Sequence, residues 1–214
     1  MGAYYSATRF VVGGVLGLLT RWEIRGAERV PRTGGLIIAS NHISFWDPPL
    51  IACAFPREIH FLAKEELFRT PGLGFAIRQL NAIPIRRGVA DLSGLSRALE
   101  VLKQSQVLLM FPEGSRMRDG ELHPARPGVG MMAVQANVPI LPCYISGSNR
   151  PRHWLAGSRV RIWFGPLRVW QDLVTPESDV VPGRALYQQV GDAVMREIAI
   201  LRTGQEAAAS RGAA

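Results

Sequence analysis

The sequence is poor in several features that would announce a familiar class of protein. Its 214 residues hold two cysteines, Cys53 and Cys143, both in apolar surroundings. That is too few for a disulfide framework or a thiolate metal site, so reduced core thiols in a cytosolic setting are expected. Among the histidines, His60 lies in a strand-like run, His123 in a loop and His153 beside Trp154, with no metal-ligand spacing, so no metal dependence is expected. No interleaved basic and aromatic motif or known module marks a nucleic-acid binder. There is no internal repeat, and no G-x-S-x-G elbow of the kind that carries the serine nucleophile of α/β-hydrolases. Nor is there an apolar run of the roughly 20 residues that a membrane-spanning helix needs.

The longest apolar run, Phe10–Leu19, is ten residues held between Arg9 and Arg21. It is followed by Thr-Arg-Trp-Glu rather than a small-residue cleavage site, which argues against a signal peptide. It suits a helix packed on the core or a helix lying in a membrane interface. Basic and aromatic flanks, Tyr4, Tyr5, Arg9, Arg21 and Trp22, favour the second, so residues 1–22 are read as an interfacial helical segment. With 47% hydrophobic residues, the chain has enough apolar material for a core of ordinary size, assigned to one domain over residues 23–202. From Thr203 the sequence turns to Gly, Ala, Ser and Gln, and 203–214 is read as a flexible tail. A net charge of +8 points toward anionic partners: phosphates, nucleic acid or an anionic membrane face.

Between these ends, β-rich runs at residues 36–39, 59–62, 82–85, 107–111, 140–145 and 160–164 alternate with helical periodicity. Several of the runs are continuously apolar, as in strands buried on both faces. Leucines from Leu92 to Leu102 recur at helical spacing behind Asp91, a plausible N-cap, and 129–136 and 185–201 are two further helices. Such alternation implies an α/β layered domain.

Three strand ends carry polar groups. After the first, Asn41-His42-Ile-Ser-Phe-Trp-Asp47-Pro48 places a histidine and an aspartate five residues apart. That spacing does not put them on one helical face, so they meet only if the chain bends between them. Asp47 before Pro48 has the form of a helix N-cap with proline at the first helical position, which supplies the bend. Folded back, the Asp47 carboxylate fixes one imidazole nitrogen of His42 and leaves the other to take a proton; otherwise Asp47 only caps a helix and His42 is a surface residue. The second, Val107–Arg116, runs from a buried strand into Pro112-Glu113-Gly114-Ser115-Arg116. The third, Ile83-Pro-Ile-Arg86-Arg87, ends in paired guanidiniums suited to phosphate or carboxylate. Open α/β sheets bind ligands beyond such carboxyl ends.

Asn41-His42-x-x-x-x-Asp47, Ile83–Arg87, Phe111-Pro-Glu-Gly-Ser-Arg116 and Val138-Pro-Ile-Leu-Pro142 resemble, in order and spacing, the four motifs of the glycerolipid acyltransferase family. Its best-known members are 1-acyl-glycerol-3-phosphate acyltransferases. The likeness covers about residues 20–170. It implies a glycerol-3-phosphate acyltransferase-like fold, with a mixed, largely parallel sheet flanked by helices, at the cytoplasmic face of the membrane as a peripheral or monotopic protein. It implies that His42 deprotonates an acceptor hydroxyl while Asp47 orients it. The acyl group would come from acyl-CoA or acyl-carrier protein as co-substrate, with no resident cofactor. A lysophospholipid would be the acceptor. By the same resemblance Glu113 and Arg116 belong to acceptor binding and Arg87 holds the acceptor phosphate, with Asn41, Gly114, Ser115 and Arg126 also expected to bind substrate.

Two departures stand out. Ser115 occupies a place where the family often has threonine, and Leu122–Gly128 resembles a segment that commonly carries a lysine before its glycine. Arg126 is the nearest cation here, so lysophospholipids other than lysophosphatidic acid, ornithine-type lipids and glycolipids stay open as acceptors. Thioester hydrolysis and non-catalytic lipid binding are the rival functions. The loop of Arg150, Arg152, His153 and Trp154 suits lipid headgroups, a coenzyme A nucleotide, or plain solvation.

Overall fold

In the computed structural model, which describes residues 2–86, 91–155, 157–174 and 182–211, seven strands form one sheet. They are β1 (Arg21–Arg25), β2 (Leu36–Ser40), β3 (Ile59–Lys64), β4 (Ala82–Ile85), β5 (Val107–Met110), β6 (Ile140–Ser146) and β7 (Arg159–Phe164). Their order is β1-β7-β6-β2-β5-β3-β4, and every neighbouring pair is parallel except β6 with β7. The sheet is therefore mixed and largely parallel, as the family resemblance implies.

The central strands explain the continuously apolar runs. Every residue of β2 and of β5 is buried. Leu36 and Ile38 enter one core while Ile37 and Ala39 enter the other, because successive side chains leave a strand on opposite faces. The first core is closed by α1 (Ala3–Leu19), α2 (Asp47–Ala54) and part of α3 (Leu73–Gln79). Against the second pack α4 (Leu92–Lys103), α5 (Gly128–Ala136), the short α6 (Trp170–Leu173) and α7 (Arg184–Arg211). Fully burying one such aliphatic side chain stabilises by about 1.5–3 kcal/mol relative to leaving it in water. Asp91 does cap α4, its Oδ1 accepting the Gly94 N–H at 3.0 Å.

Where the chain leaves β1, Gly26 has φ +79°, and a Cβ there would lie 2.0 Å from the carbonyl oxygen of Phe164. Only glycine allows that approach to the end of β7.

Three sequence expectations change. Arg21 and Trp22, assigned to the N-terminal segment, begin the edge strand β1; its charged alternation, Arg-Trp-Glu-Ile-Arg, hides it from a search for apolar runs. The expected tail from Thr203 is helical as far as Arg211. Gln205 explains this: it is buried, donates to the Tyr144 carbonyl at 3.3 Å and accepts from Ser146 Oγ at 2.7 Å, so the last turns are anchored by a polar side chain rather than an apolar one. Finally, three flanks of α1 expected at a membrane edge are used internally. The Tyr5 hydroxyl accepts the Ile59 N–H at 3.1 Å, Arg9 donates to the Cys53 carbonyl at 3.3 Å, and Trp22 donates to the Leu16 carbonyl at 3.3 Å. Tyr4 and Arg21 face outward.

Candidate active site

Parallel pairing brings the carboxyl ends of β6, β2, β5, β3 and β4 to one edge of the sheet. The loop leaving β2 is built there first. Asn41 continues the ladder with its side chain: Nδ2 donates to the Ile145 carbonyl at 3.0 Å, and Oδ1 accepts the Ile145 N–H at 2.8 Å. Expected at the substrate, Asn41 is instead 1% exposed and spent on clamping this loop to β6.

The bend between His42 and Asp47 brings the two together. His42 Nδ1 donates to Asp47 Oδ2 at 2.8 Å. The same oxygen accepts the backbone N–H groups of Ile43 at 2.8 Å and Ser44 at 2.7 Å, and Oδ1 accepts the Ser148 hydroxyl at 2.5 Å. Four donors thus converge on a carboxylate with no exposure, as a buried charge requires. Asp47 does not act as a helix cap facing forward. Trp46 holds the cap position, and the carboxylate, at the first residue of α2, turns back over the loop. That reversal fixes the imidazole. Phe111 stacks on it at 3.9 Å between ring centroids, and Nε2 makes no hydrogen bond among the described residues.

The loop leaving β5 braces the first. Glu113 is 2% exposed; its Oε2 accepts the His42 N–H at 2.9 Å and its Oε1 the His123 N–H at 3.4 Å. Burial pushes its carboxyl up to about 7, against the pull of those two N–H donors. Expected to bind the acceptor, Glu113 is turned inward as a strut because two backbone donors would be left unpaired without it. The Met117 N–H also reaches the His42 carbonyl, at 2.7 Å. Gly114, at φ +74°, leaves room for Arg126: a Cβ there would lie 2.6 Å from Arg126 Cδ. Ser115 sits half-buried in the same turn. Arg116 is exposed with its guanidinium 4.5 Å over the Phe45 ring. Two cations, Arg116 and Arg126, therefore flank the loops around His42. Arg87 lies outside the described residues; its neighbour Arg86 pairs with Glu65 at 3.1 Å.

Ser148 escapes sequence reading, although it follows β6 at the same sheet edge and belongs to a turn-like Ser-Gly-Ser-Asn. The other histidines stand apart from the pair. His123 Nε2 meets Asp119 at 2.7 Å in the open, and burial depresses the basicity of His60 in β3. Trp154 is buried and donates to the Gly147 carbonyl at 3.0 Å, whereas Arg150, Arg152 and His153 beside it are exposed. Beyond Phe111 runs an apolar groove of about 180 Å³ walled by Leu62, Ile85, Leu95, Leu109 and Val129, with Arg126 at its edge. Chemically the arrangement offers an oriented base, flanking cations and an apolar channel.

A family model described as Acyltransferase matches residues 21–146. The chain is 31% identical over 157 residues to a 1-acyl-sn-glycerol-3-phosphate acyltransferase of Streptococcus pneumoniae, covering 69% of this chain and 58% of that one. It is also 31% identical over 150 residues to the enzyme of that name from Pseudomonas aeruginosa, covering 69% and 54%. The chain spans about half the length of such curated relatives. Among solved structures, the 1-acyl-sn-glycerophosphate acyltransferase PlsC from Thermotoga maritima superposes with a TM-score of 0.71 at 27% identity, over 92% of this chain and 79% of that one.

Proposed function

Because the chain belongs to the acyltransferase family, we propose that it moves a fatty acyl group from a thioester, acyl-CoA or acyl-carrier protein, to the free hydroxyl of 1-acyl-glycerol-3-phosphate, giving phosphatidic acid. One observation carries the reading: His42 Nδ1 is tied to Asp47 at 2.8 Å, so Nε2 is the nitrogen left to take a proton. Nε2 removes the proton of the acceptor hydroxyl as its oxygen attacks the thioester carbonyl carbon. The imidazolium, stabilised by Asp47, then returns that proton to the departing sulfur when the C–S bond breaks. A positioned base contributes ~10²–10⁴-fold, and holding alcohol and thioester together supplies much of the rest. Arg116 and Arg126 bind the acceptor's phosphate. The groove behind Phe111 takes alkyl chain.

The reaction takes place at the cytoplasmic face of the cell membrane, whose anionic surface complements the net +8 charge. Among the described residues no helix is long and apolar enough to cross a membrane. Helix α1 instead lies on it, presenting a stripe of Tyr4, Val11, Val15 and Leu18, with Phe10 beside it, all exposed.

The test is incubation with radiolabelled oleoyl-CoA or oleoyl-acyl-carrier protein and a panel of lysolipids, with products resolved by lipid mass spectrometry. Labelled phosphatidic acid from the lysophosphatidic acid arm is expected. Release of free oleate without any acceptor would identify a hydrolase, and a product from another lysolipid alone would replace the acceptor.

A further inference from the structure

A second polar cleft, of about 410 Å³, opens at the β4 edge of the sheet, away from the histidine. Four arginines line it, Arg69, Arg78, Arg86 and Arg97, against two acids, Glu65 and Asp91. The acids do not neutralise it. Glu65 pairs with Arg69 at 3.4 Å and with Arg86 at 3.1 Å. Asp91 is occupied by local bonds, accepting from the backbone N–H of Arg86 at 2.8 Å, from Ser93 Oγ at 2.8 Å and from the Gly94 N–H at 3.0 Å. Arg78 spends one donor on the Phe68 carbonyl, and Arg97 spends two on the carbonyls of Ser93 and Pro84. Each guanidinium has five N–H donors, so most of them remain for a ligand. An excess of positive charge in a concave site with forked donors suits a ligand bearing several phosphates.

The cleft also has a place in the reaction proposed above. Arg86 directly follows Ile85, which walls the apolar groove that Phe111 shares with His42. β4 stands three places from β2 in the sheet, about 15 Å at the usual strand spacing. The extended phosphopantetheine arm of coenzyme A is on the order of 15 Å long at standard bond lengths. A thioester beside His42 thus puts its phosphates within reach of the arginines. The size of the cleft falls in the range of small-molecule sites, roughly 300–1,000 Å³, and a concave site favours a compact nucleotide over the convex face of a carrier protein.

We propose that this cleft binds the 3′-phosphate and diphosphate of coenzyme A, which makes acyl-CoA the donor. The inference rests on the acyl-transfer reading but is tested without turnover. Isothermal titration of coenzyme A into the full chain is expected to give saturable binding, weakened about tenfold or more in Arg69→Gln/Arg97→Gln, whose side chains are exposed and leave the core untouched. Dephospho-coenzyme A is expected to bind wild type more weakly than coenzyme A, and the double variant is expected to lose that preference. Equal affinity of wild type and variant for coenzyme A would overturn the assignment. So would displacement of coenzyme A by glycerol 3-phosphate, which would make the cleft the acceptor's site. Transfer from acyl-carrier protein with no measurable binding of coenzyme A would refute the cleft's role and leave acyl transfer standing, whereas absence of transfer from every thioester would remove the transfer reading itself.

Discussion

Glu113 Oε2 holds the backbone N–H of His42 at 2.9 Å, so the residue that carries the chemistry is fixed from behind by a carboxylate on another strand's loop. That carboxylate is buried, and burial pushes it from 4.5 up to about 7. Between those values the folded chain keeps a proton that the unfolded chain has released. The group therefore favours folding at low pH, and its contribution is lost as pH rises through about 7. In Glu113→Gln the titration is gone, and the fall in unfolding free energy between pH 5 and pH 8 should shrink by about 2–3 kcal/mol. Urea denaturation at the two pH values measures the difference, which cancels the pH-independent cost of losing one acceptor.

Ser148 donates to Asp47 Oδ1 at 2.5 Å inside the protein. Ser148→Ala leaves that oxygen buried without its hydroxyl donor, at a cost of about 1–3 kcal/mol in stability. With one of its four anchors gone, the carboxylate holds the imidazole less rigidly. Steady-state kinetics should show kcat lowered by roughly ten- to a hundredfold with KM for the acceptor little changed, because the loss is in aim rather than in binding. An equal rise in KM with kcat intact would place Ser148 in the acceptor site instead.

The exposed face of α1 should anchor the protein to lipid. Phe10 is 83% and Leu18 86% exposed, so serine at both positions removes apolar surface without disturbing the core. Co-sedimentation with vesicles containing anionic phospholipid is expected to fall about tenfold or more in the double variant, since each buried methylene contributes about 0.8 kcal/mol. Thermal unfolding is expected to stay within a few degrees of wild type. Unchanged sedimentation would move the lipid contact elsewhere.

Much of this architecture was legible in the sequence because buried parallel strands leave continuous apolar runs. The six strands from Leu36 to Phe164 left β-rich runs, several of them continuously apolar, and the helices that begin near Leu92, Val129 and Ala185 left helical periodicity. β1 did not, as an edge strand with one apolar residue in two carries no such run. The end of α7 did not either, because its anchor is Gln205, and a buried glutamine looks like any surface residue until its partners Tyr144 and Ser146 are placed. At the site, the bend before Pro48 made the meeting of His42 and Asp47 one of two readings, the other being a helix cap beside a surface histidine. What could not be read was where the remaining polar groups point. Asn41 and Glu113 belong to the motifs around the base, yet Asn41 faces the backbone of β6 and Glu113 that of two neighbouring loops, which only the three-dimensional pairing of β2 with β6 and β5 reveals. Ser148 is more than a hundred residues from Asp47 and gives no local sign of the contact.

The central claim is that His42 Nε2 takes the proton from the acceptor, and transfer of labelled oleate by His42→Ala tests it most directly. Wild type and variant, matched by circular dichroism, are compared on labelled oleoyl-CoA or oleoyl-acyl-carrier protein with lysophosphatidic acid. The account predicts that kcat falls by about 10²–10⁴-fold or more while the fold is retained. A variant that keeps its secondary structure and still forms phosphatidic acid at a rate within a few-fold of wild type would contradict it.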